Sequence, residues 1–225
     1  EIPLRLVGSE MCIRDSSMHS RVVISMSLFL IVSGTLLIKA TENISWLGAF
    51  FLSFSTRTAG FSTYPLGNFS SAGLLVVIIL MFIGASPGST GGGIKTSTFF
   101  VLLQGIKSAA TNKSEKAFHY AVPKNAFSKA AIITAIGAAI VLTGTYIMLV
   151  LQPELSFIDV FFEVTSAFST SGLSTGITQQ LGMGAKLLSI IIMYAGRLGP
   201  LTIVTVWYFS KGERVSYPEG NISVG

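Results

Sequence analysis

Charged residues are scarce in this chain of 225 residues: they make up 11% of the sequence, against about 25% in a typical soluble domain. Cysteine is nearly absent as well. Because Cys12 is the only one, an internal disulfide and a thiolate metal cluster are both excluded. Half of the residues are hydrophobic. This composition excludes an ordinary soluble domain and indicates a chain that lies in a lipid bilayer.

Four stretches are long and apolar enough to cross a bilayer, which takes about 20 residues. They lie at 21–39, 70–107, 130–151 and 184–210, and the second and fourth are interrupted. Residues 1–16 have neither the basic start nor the cleavage site of a signal peptide, and they fit nothing that follows. We interpret them as a non-native segment or a sequence-assembly artefact.

The positive charge is concentrated on one side of these predicted spans. Five lysines crowd residues 107–129, and Lys211 and Arg214 follow the last span. By the positive-inside rule, the loop 107–129 and the C-terminal tail 211–225 are cytoplasmic. The distribution of the lysines follows the topology of the predicted spans and does not indicate a nucleic-acid partner. We therefore predict a multi-pass protein of the lipid bilayer with no nucleic-acid partner.

The sequence contains the same unit twice, at an offset of 112 residues. The segment TAGF at 58–61 aligns with TSGL at 170–173, and Gly84 aligns with Gly196 without a gap. Matches between apolar runs arise easily by chance. A shared polar Thr-x-Gly in the same register as a downstream Met-x-x-Gly does not, and it indicates an internal repeat.

Each copy has a short helix between its two spans, predicted at 45–56 and at 157–169. Both helices are too short to cross the bilayer. Because the charges place both ends of each unit in the cytoplasm, each short helix must enter from outside and return without crossing. We predict an all-α membrane protein with two repeats of span–re-entrant pore helix–span around a pseudo-symmetric pore, in which the second span of the first repeat is broken.

The segments that follow the short helices are suited to binding a cation. Non-helical backbone at membrane depth is tolerated only inside protein or along a water-filled cavity. Its carbonyl oxygens can replace the hydration shell of a cation the size of potassium. One Thr-x-Gly alone is typical of a plain helix C-cap, but two copies in register favour a selectivity filter. The predicted filter residues are Thr58, Ala59, Gly60 and Phe61 in the first copy and Thr170, Ser171, Gly172 and Leu173 in the second.

The stretch GASPGSTGGGIKTS, from Gly84 to Ser97, interrupts the second span. Its five glycines and Pro87 cannot hold a helix, at a cost of about 1 kcal/mol per glycine and about 3 kcal/mol for proline. A phosphate-binding Walker A loop is excluded, because Ile94 separates the last glycine from Lys95 and an apolar span precedes the motif. We therefore predict a broken membrane helix.

Two arginines lie within the predicted membrane region. Arg197 lies inside the span 184–210, too far from its end to snorkel, and a charge at that depth marks a functional site by default. Arg57 adjoins the first filter segment, where it would oppose a cation. We expect it to point away and pair with Glu163. For Lys95 two interpretations stay open: it tethers or senses the glycine-rich loop, or it lines a wet cavity.

The motifs STRTAGFST, FSTSGLSTG, EVTSAF and YAGRLGP, together with the glycine-rich stretch, resemble the Ktr/Trk/HKT superfamily of potassium transporters. The Ktr-type membrane subunit is the most similar group, and the resemblance covers its C-terminal half. Members carry four pore units around one pore, so two units alone cannot close a filter. The resemblance implies a third pore unit at 17–107, a cytoplasmic loop at 108–127 and a fourth pore unit at 128–210.

The resemblance also implies a function: potassium uptake across the bacterial inner membrane through a selective pore, with no enzymatic activity. It implies no covalent cofactor and no metal beyond the transported K⁺, with Na⁺ as a candidate activator. The implied partners are a cytosolic nucleotide-binding regulatory subunit and a second copy of the full-length subunit. The alternative is a sodium-coupled secondary transporter with a broken-helix substrate site.

By the same resemblance, Arg197 faces the pore below the filter and acts with an intramembrane gate loop. The gate-loop residues so implied are Gly84, Ala85, Ser86, Pro87, Gly88, Ser89, Thr90, Gly91, Gly92, Gly93 and Lys95.

Overall fold

A computed structural model describes residues 4–89, 91–111, 116–117, 120–121 and 125–199 of the chain. Apart from a hairpin of two-residue strands, β1 (Lys116–Ala117) and β2 (Tyr120–Ala121), its regular structure is helical. The helices are α1 (Leu4–Thr41), α2 (Trp46–Ser55), α3 (Ser71–Phe82), α4 (Thr96–Thr111), α5 (Ala126–Leu151), α6 (Phe157–Ser169) and α7 (Met183–Leu198), with short 3-10 turns at Leu66–Asn68 and Ile177–Gln179.

Some predicted features lie outside the described residues. They are Thr90 of the glycine-rich stretch, three pieces of the loop 108–127 (residues 112–115, 118–119 and 122–124), the far end of the span 184–210 and the tail 211–225.

Among the described residues, two helices are long and apolar enough to cross a membrane by length and composition: His19–Thr41, within α1, and Ala126–Leu151, which is α5. The helices α2 and α3 are apolar but shorter. Because α1 begins at Leu4, most of the segment 1–16 is helical and continuous with the first span.

The second span of the first repeat is broken, because α3 ends at Phe82 and α4 begins at Thr96. We call the intervening residues 83–95 the glycine-rich loop. In the predicted last span, 184–210, α7 ends at Leu198, and residues 200–210 lie outside the described residues. The physical reason for the end of α7 is Gly199, whose φ of 84° cannot continue a right-handed helix.

In each repeat, the short helix shares a hydrophobic cluster with the two spans of that repeat. In the first repeat, Ile38, Leu52 and Val77 bring α1, α2 and α3 together. In the second repeat, a corresponding cluster joins α5, α6 and α7. The two repeats meet where α3 packs on α6, and there Phe162 joins the cluster of the first repeat. Between helices in a bilayer such contacts are favoured by van der Waals packing, and they hold α6 at the centre of the fold.

A carboxylate ties the two spans of the first repeat together at one end. Glu42, just after α1, accepts hydrogen bonds from the backbone N–H of Ser70 at 2.9 Å and from the Ser70 hydroxyl at 2.7 Å. Ser70 is the N-cap of α3, and its hydroxyl also accepts from the N–H of Gly73. A negative charge is favourable at a helix N-terminus, so Glu42 stabilises the start of α3 and fixes its position.

Candidate functional site

Both short helices lead into backbone with a matching, unusual conformation. In the first copy, Thr58 has a φ of 89° and Gly60 a φ of 76°. In the second, Thr170 has a φ of 53° and Gly172 a φ of 88°. No other non-glycine residue in the described part of the chain has a positive φ. For a β-branched residue this conformation is an outlier, and such strain is concentrated at functional sites. The two predicted filter segments, residues 58–61 and 170–173, thus share a strained backbone.

A serine of each short helix holds the last residue of the filter segment that follows it. The Ser55 hydroxyl donates to the carbonyl of Phe61 and accepts from the N–H of Phe61 at 2.8 Å. The Ser166 hydroxyl donates to the carbonyl of Leu173 at 2.6 Å. Sequence reasoning missed both serines, because an offset of 112 places Ser55 opposite Ala167. The available signal was a serine near the end of each short helix.

The two filter segments lie against each other. A Cβ on Gly60 would collide with the carbonyl oxygen of Ser171, whereas a Cβ on Gly172 would have no atom within 4 Å. Gly60 is therefore required both by its φ and by this close approach, and Gly172 by its φ alone. The structure brings together two segments that are more than a hundred residues apart in the sequence.

The glycine-rich loop folds back on itself at the break between α3 and α4. Ile83 and Ile94 form an isolated parallel bridge, and the N–H of Ile94 donates to the carbonyl of Phe82 at 3.1 Å. Gly88 and Gly93 have φ values of 80° and 73°, which only glycine adopts readily. The loop therefore begins and ends at the same place, so the break does not separate α3 from α4.

The same loop contacts both filter segments. The N–H of Gly92 donates to the hydroxyl of Thr170 at 2.9 Å. A Cβ on Gly91 would lie 2.5 Å from the methyl carbon of Thr58, and a Cβ on Gly92 would lie 2.8 Å from the carbonyl oxygen of Phe168. These glycines therefore do more than break a helix: they let the loop approach the filter segments closely.

One positive charge belongs to the loop and a second lies near it. The ammonium group of Lys95 donates to the carbonyls of Gly91 and, at 3.5 Å, Ser89. These hydrogen bonds link Lys95 to the backbone of the loop, and its role as a tether stays a prediction. Arg197 is exposed and its positive charge repels that of Lys95. Arg197 lies in the last turn of α7, where a cation is favoured by the helix dipole, and the part of the predicted span after residue 199 lies outside the described residues.

The expected ion pair between Arg57 and Glu163 is not formed. The Arg57 guanidinium instead donates to the carbonyl and the hydroxyl of Ser27 on α1, both at 3.4 Å. Glu163 accepts a hydrogen bond from the Thr178 hydroxyl. The reason is direction: Arg57 points back to the first span of its own repeat, and Glu163 points to the turn after its own filter segment. A cavity of about 330 Å³ lies between Arg57 and Ser86 of the glycine-rich loop.

Comparison with known proteins gives a family model described as TrkH, cation transport protein, which matches residues 19–212. The Ktr system potassium uptake protein B of Vibrio alginolyticus is 34% identical over 220 residues, which cover 92% of this chain and 48% of that protein. The protein of the same name from Bacillus subtilis is 30% identical over 222 residues, covering 93% and 50%.

A solved structure is also similar. The potassium transporter TrkH from Vibrio parahaemolyticus superposes with a TM-score of 0.66 at 20% identity, covering 85% of this chain and 44% of that one. This likeness shows the fold. The chain spans about half the length of the curated relatives that it matches.

Proposed function

We propose that this chain, which belongs to the TrkH family of cation transport proteins, supplies two of the pore units of a potassium uptake transporter in the cell membrane. It is accordingly a transport protein and not an enzyme. The observation that carries the proposal is the pair of strained filter segments. Each follows a short helix, each is held by a serine of that helix, and the two lie against each other at Gly60 and Ser171. Two such segments would form two sides of a ring of carbonyl oxygens around a dehydrated cation.

The exposed face of α7 supports a larger ring. At the offset of 112, Ile78 and Met81 of α3 align with Ile190 and Met193 of α7. On α3 these residues are 3% and 0% exposed, because α3 packs on α6. On α7 they are 59% and 46% exposed. The face with which the first repeat contacts the second is therefore present on the second repeat, where it has no partner in the described part of the chain.

The face of α6 on which α3 packs also has an equivalent in the other repeat, and that equivalent is exposed. Phe162 of α6 is 0% exposed against the first repeat, whereas its counterpart on α2, Phe50, is 50% exposed, and Trp46 beside it is 61% exposed. The second repeat thus exposes on α7 a face equivalent to the face of α3 that packs on α6. The first repeat exposes on α2 a face equivalent to the face of α6 that packs on α3. Units that contact one another head to tail in this way form a ring when the rotation from each unit to the next returns the last unit to the first. We propose that two further repeats of the complete subunit close it.

We propose that the glycine-rich loop is the gate of this pore. The described residues that form it are Gly84, Ala85, Ser86, Pro87, Gly88, Ser89, Gly91, Gly92, Gly93 and Lys95. The loop lies against both filter segments, so an ion that passes them meets it next. Arg197, with its repulsion of Lys95, supplies a fixed positive charge that raises the barrier for a cation while the loop is in place.

The partners and the ions belong to the same proposal. A cytosolic nucleotide-binding subunit would regulate the gate from the side of the lysine-rich loop 107–129, and the complete subunit would form a homodimer. K⁺ would be the transported ion and Na⁺ an activator. Because the relatives are named as potassium uptake proteins, the alternative of a sodium-coupled secondary transporter is not favoured.

The test uses the complete subunit that contains this chain, in a bacterial host without its own potassium uptake systems. The unaltered sequence should support growth at low external K⁺, and Gly172→Ser should raise the K⁺ concentration needed for growth. The matched control is Gly176→Ser, a glycine with a φ of 104° and open space around it that lies outside the filter segments. If both substitutions have the same effect at equal protein levels in the membrane, the segment 170–173 is not a filter.

A further inference from the structure

The glycine-rich loop contacts the two filter segments through different chemistry. Gly92 donates its N–H to the hydroxyl of Thr170, whereas the Thr58 atoms nearest to a Cβ built on Gly91 are both carbons, the methyl carbon and Cβ. The Thr58 hydroxyl has no hydrogen bond with any other described residue. Although the two threonines occupy equivalent positions in the two repeats, only Thr170 has a polar link to the loop.

Thr170 holds a conformation for which threonine is a poor choice. It caps α6 with a φ of 53°, and its N–H donates to the carbonyl of Ala167 at 3.1 Å. Glycine adopts this backbone more readily than any β-branched residue. In the described part of the chain, the hydrogen bond of the Thr170 side chain is the one that it accepts from Gly92. That bond gives a physical reason for a threonine at this position.

Gly92, which supplies the donor N–H, is also held in place by its surroundings. Gly92 is buried, and its Cα faces the carbonyl of Phe168 so closely that a Cβ would lie 2.8 Å from the oxygen. The carbonyl of the preceding residue, Gly91, accepts a hydrogen bond from Lys95. A movement that withdraws the loop from the filter segments must therefore break the bond between Gly92 and Thr170.

We propose that Thr170 is a positioning residue that couples the glycine-rich loop to the selectivity filter, an inference that rests on the proposed function. While the loop is in place, the Gly92 N–H fixes the Thr170 side chain and with it the strained backbone of the second filter segment. When the loop withdraws, this segment loses a restraint that the first segment never had. Coupling of this kind is reciprocal, so the filter segment stabilises the seated loop by the same free energy.

The test compares the complete subunit with three variants in proteoliposomes and measures K⁺ flux without the regulatory partner together with the K⁺/Na⁺ permeability ratio. Thr170→Val keeps the side-chain shape and removes the acceptor. Loss of one such hydrogen bond should raise unregulated flux and lower the permeability ratio, each by roughly 2- to 10-fold. Thr170→Ser, which keeps the hydroxyl, should restore most of both values. A third variant, deletion of residues 86–92, leaves Thr170 intact and should lower the permeability ratio by a similar factor.

The deletion also distinguishes the proposed coupling through the Gly92–Thr170 hydrogen bond from a direct contact between the Thr170 hydroxyl and the ion. In its background, Thr170→Val should change the permeability ratio little, because the partner of the hydroxyl is already absent. The matched comparison is Thr58→Val, whose effect, whatever its size, should be the same with and without the loop. Two results overturn the inference: a Thr170→Val effect of equal size in both backgrounds, or an unchanged ratio after the deletion alone. Failure of the proposed function is distinct, since the unaltered subunit would then conduct no K⁺.

Discussion

Substituting the two filter glycines by alanine should have unequal effects, although the glycines are equivalent in the repeat. At Gly172 the cost is conformational alone, because a Cβ there meets no atom within 4 Å. Its φ of 88° lies in the left-handed region, which costs an alanine about 1–2 kcal/mol. At Gly60 a similar conformational cost applies, since φ is 76°, and a Cβ would also collide with the carbonyl oxygen of Ser171. Relieving such a collision by moving the backbone costs typically about 1–3 kcal/mol more.

These costs translate into expected changes of transport. If they fall on the conducting conformation of the filter, Gly172→Ala lowers K⁺ uptake by about 5- to 30-fold, since a factor of ten corresponds to about 1.4 kcal/mol. Gly60→Ala lowers it by at least about 30-fold, because the two contributions add. The assay is initial-rate uptake of a potassium tracer by cells expressing the complete subunit, normalised to the amount of protein in the membrane.

The control for this pair is Gly176→Ala, which introduces comparable backbone strain outside the filter segments. It should reduce uptake only as far as it reduces the protein level. An equal loss of K⁺ uptake in Gly60→Ala and Gly172→Ala would refute the packing argument, because the close contact of Gly60 with Ser171 would then contribute nothing to the loss. If Gly172→Ala lost no more activity than Gly176→Ala, the proposed ion path past residues 170–173 would be refuted instead.

Two other substitutions probe the polar contacts of the first repeat. Lys95→Met approximately keeps the length of the side chain but removes the donor to the Gly91 carbonyl and the repulsion of Arg197. We expect K⁺ flux without the regulatory partner to rise several-fold. An unchanged or lower flux would contradict the proposal that Lys95 tethers the loop. Glu42→Gln removes the charge that accepts from the N–H and hydroxyl of Ser70, so thermal unfolding of the purified subunit in detergent should show a loss of about 0.5–1.5 kcal/mol, whereas K⁺/Na⁺ selectivity should not change.

The repeat could be predicted from the sequence because its signals are local. A polar Thr-x-Gly between apolar runs marks each filter segment, and the short helix before it is too short to span. In the structure, α6 occupies Phe157–Ser169, where the sequence predicts the second short helix. The break in the second span follows equally directly, because a run of glycines with a proline cannot continue a helix.

What the sequence could not predict depends on where side chains point in three dimensions. Charge complementarity alone paired Arg57 with Glu163, but Arg57 turns toward Ser27, 30 residues earlier in the chain. The bond between Gly92 and Thr170 joins residues 78 positions apart and involves a backbone N–H, which leaves no mark on composition or spacing. The position at which α7 ends was not predicted, because Gly199 and the proline after it lie within an apolar run.

Each repeat has a glycine at an equivalent position that allows a backbone carbonyl to approach closely, but the carbonyl belongs to a different element in each repeat. Gly84 and Gly196 align at the offset of 112, and a Cβ on either would collide with a backbone carbonyl: that of Gly92 for Gly84 and that of Phe168 for Gly196. In the second repeat the helix α7 thus packs directly on the end of α6. In the first repeat the loop occupies the corresponding space, and it reaches across to the second filter segment. A continuous helix in the first repeat would leave Thr170 without its donor, so breaking this span is what allows one repeat to act on the filter segment of the other.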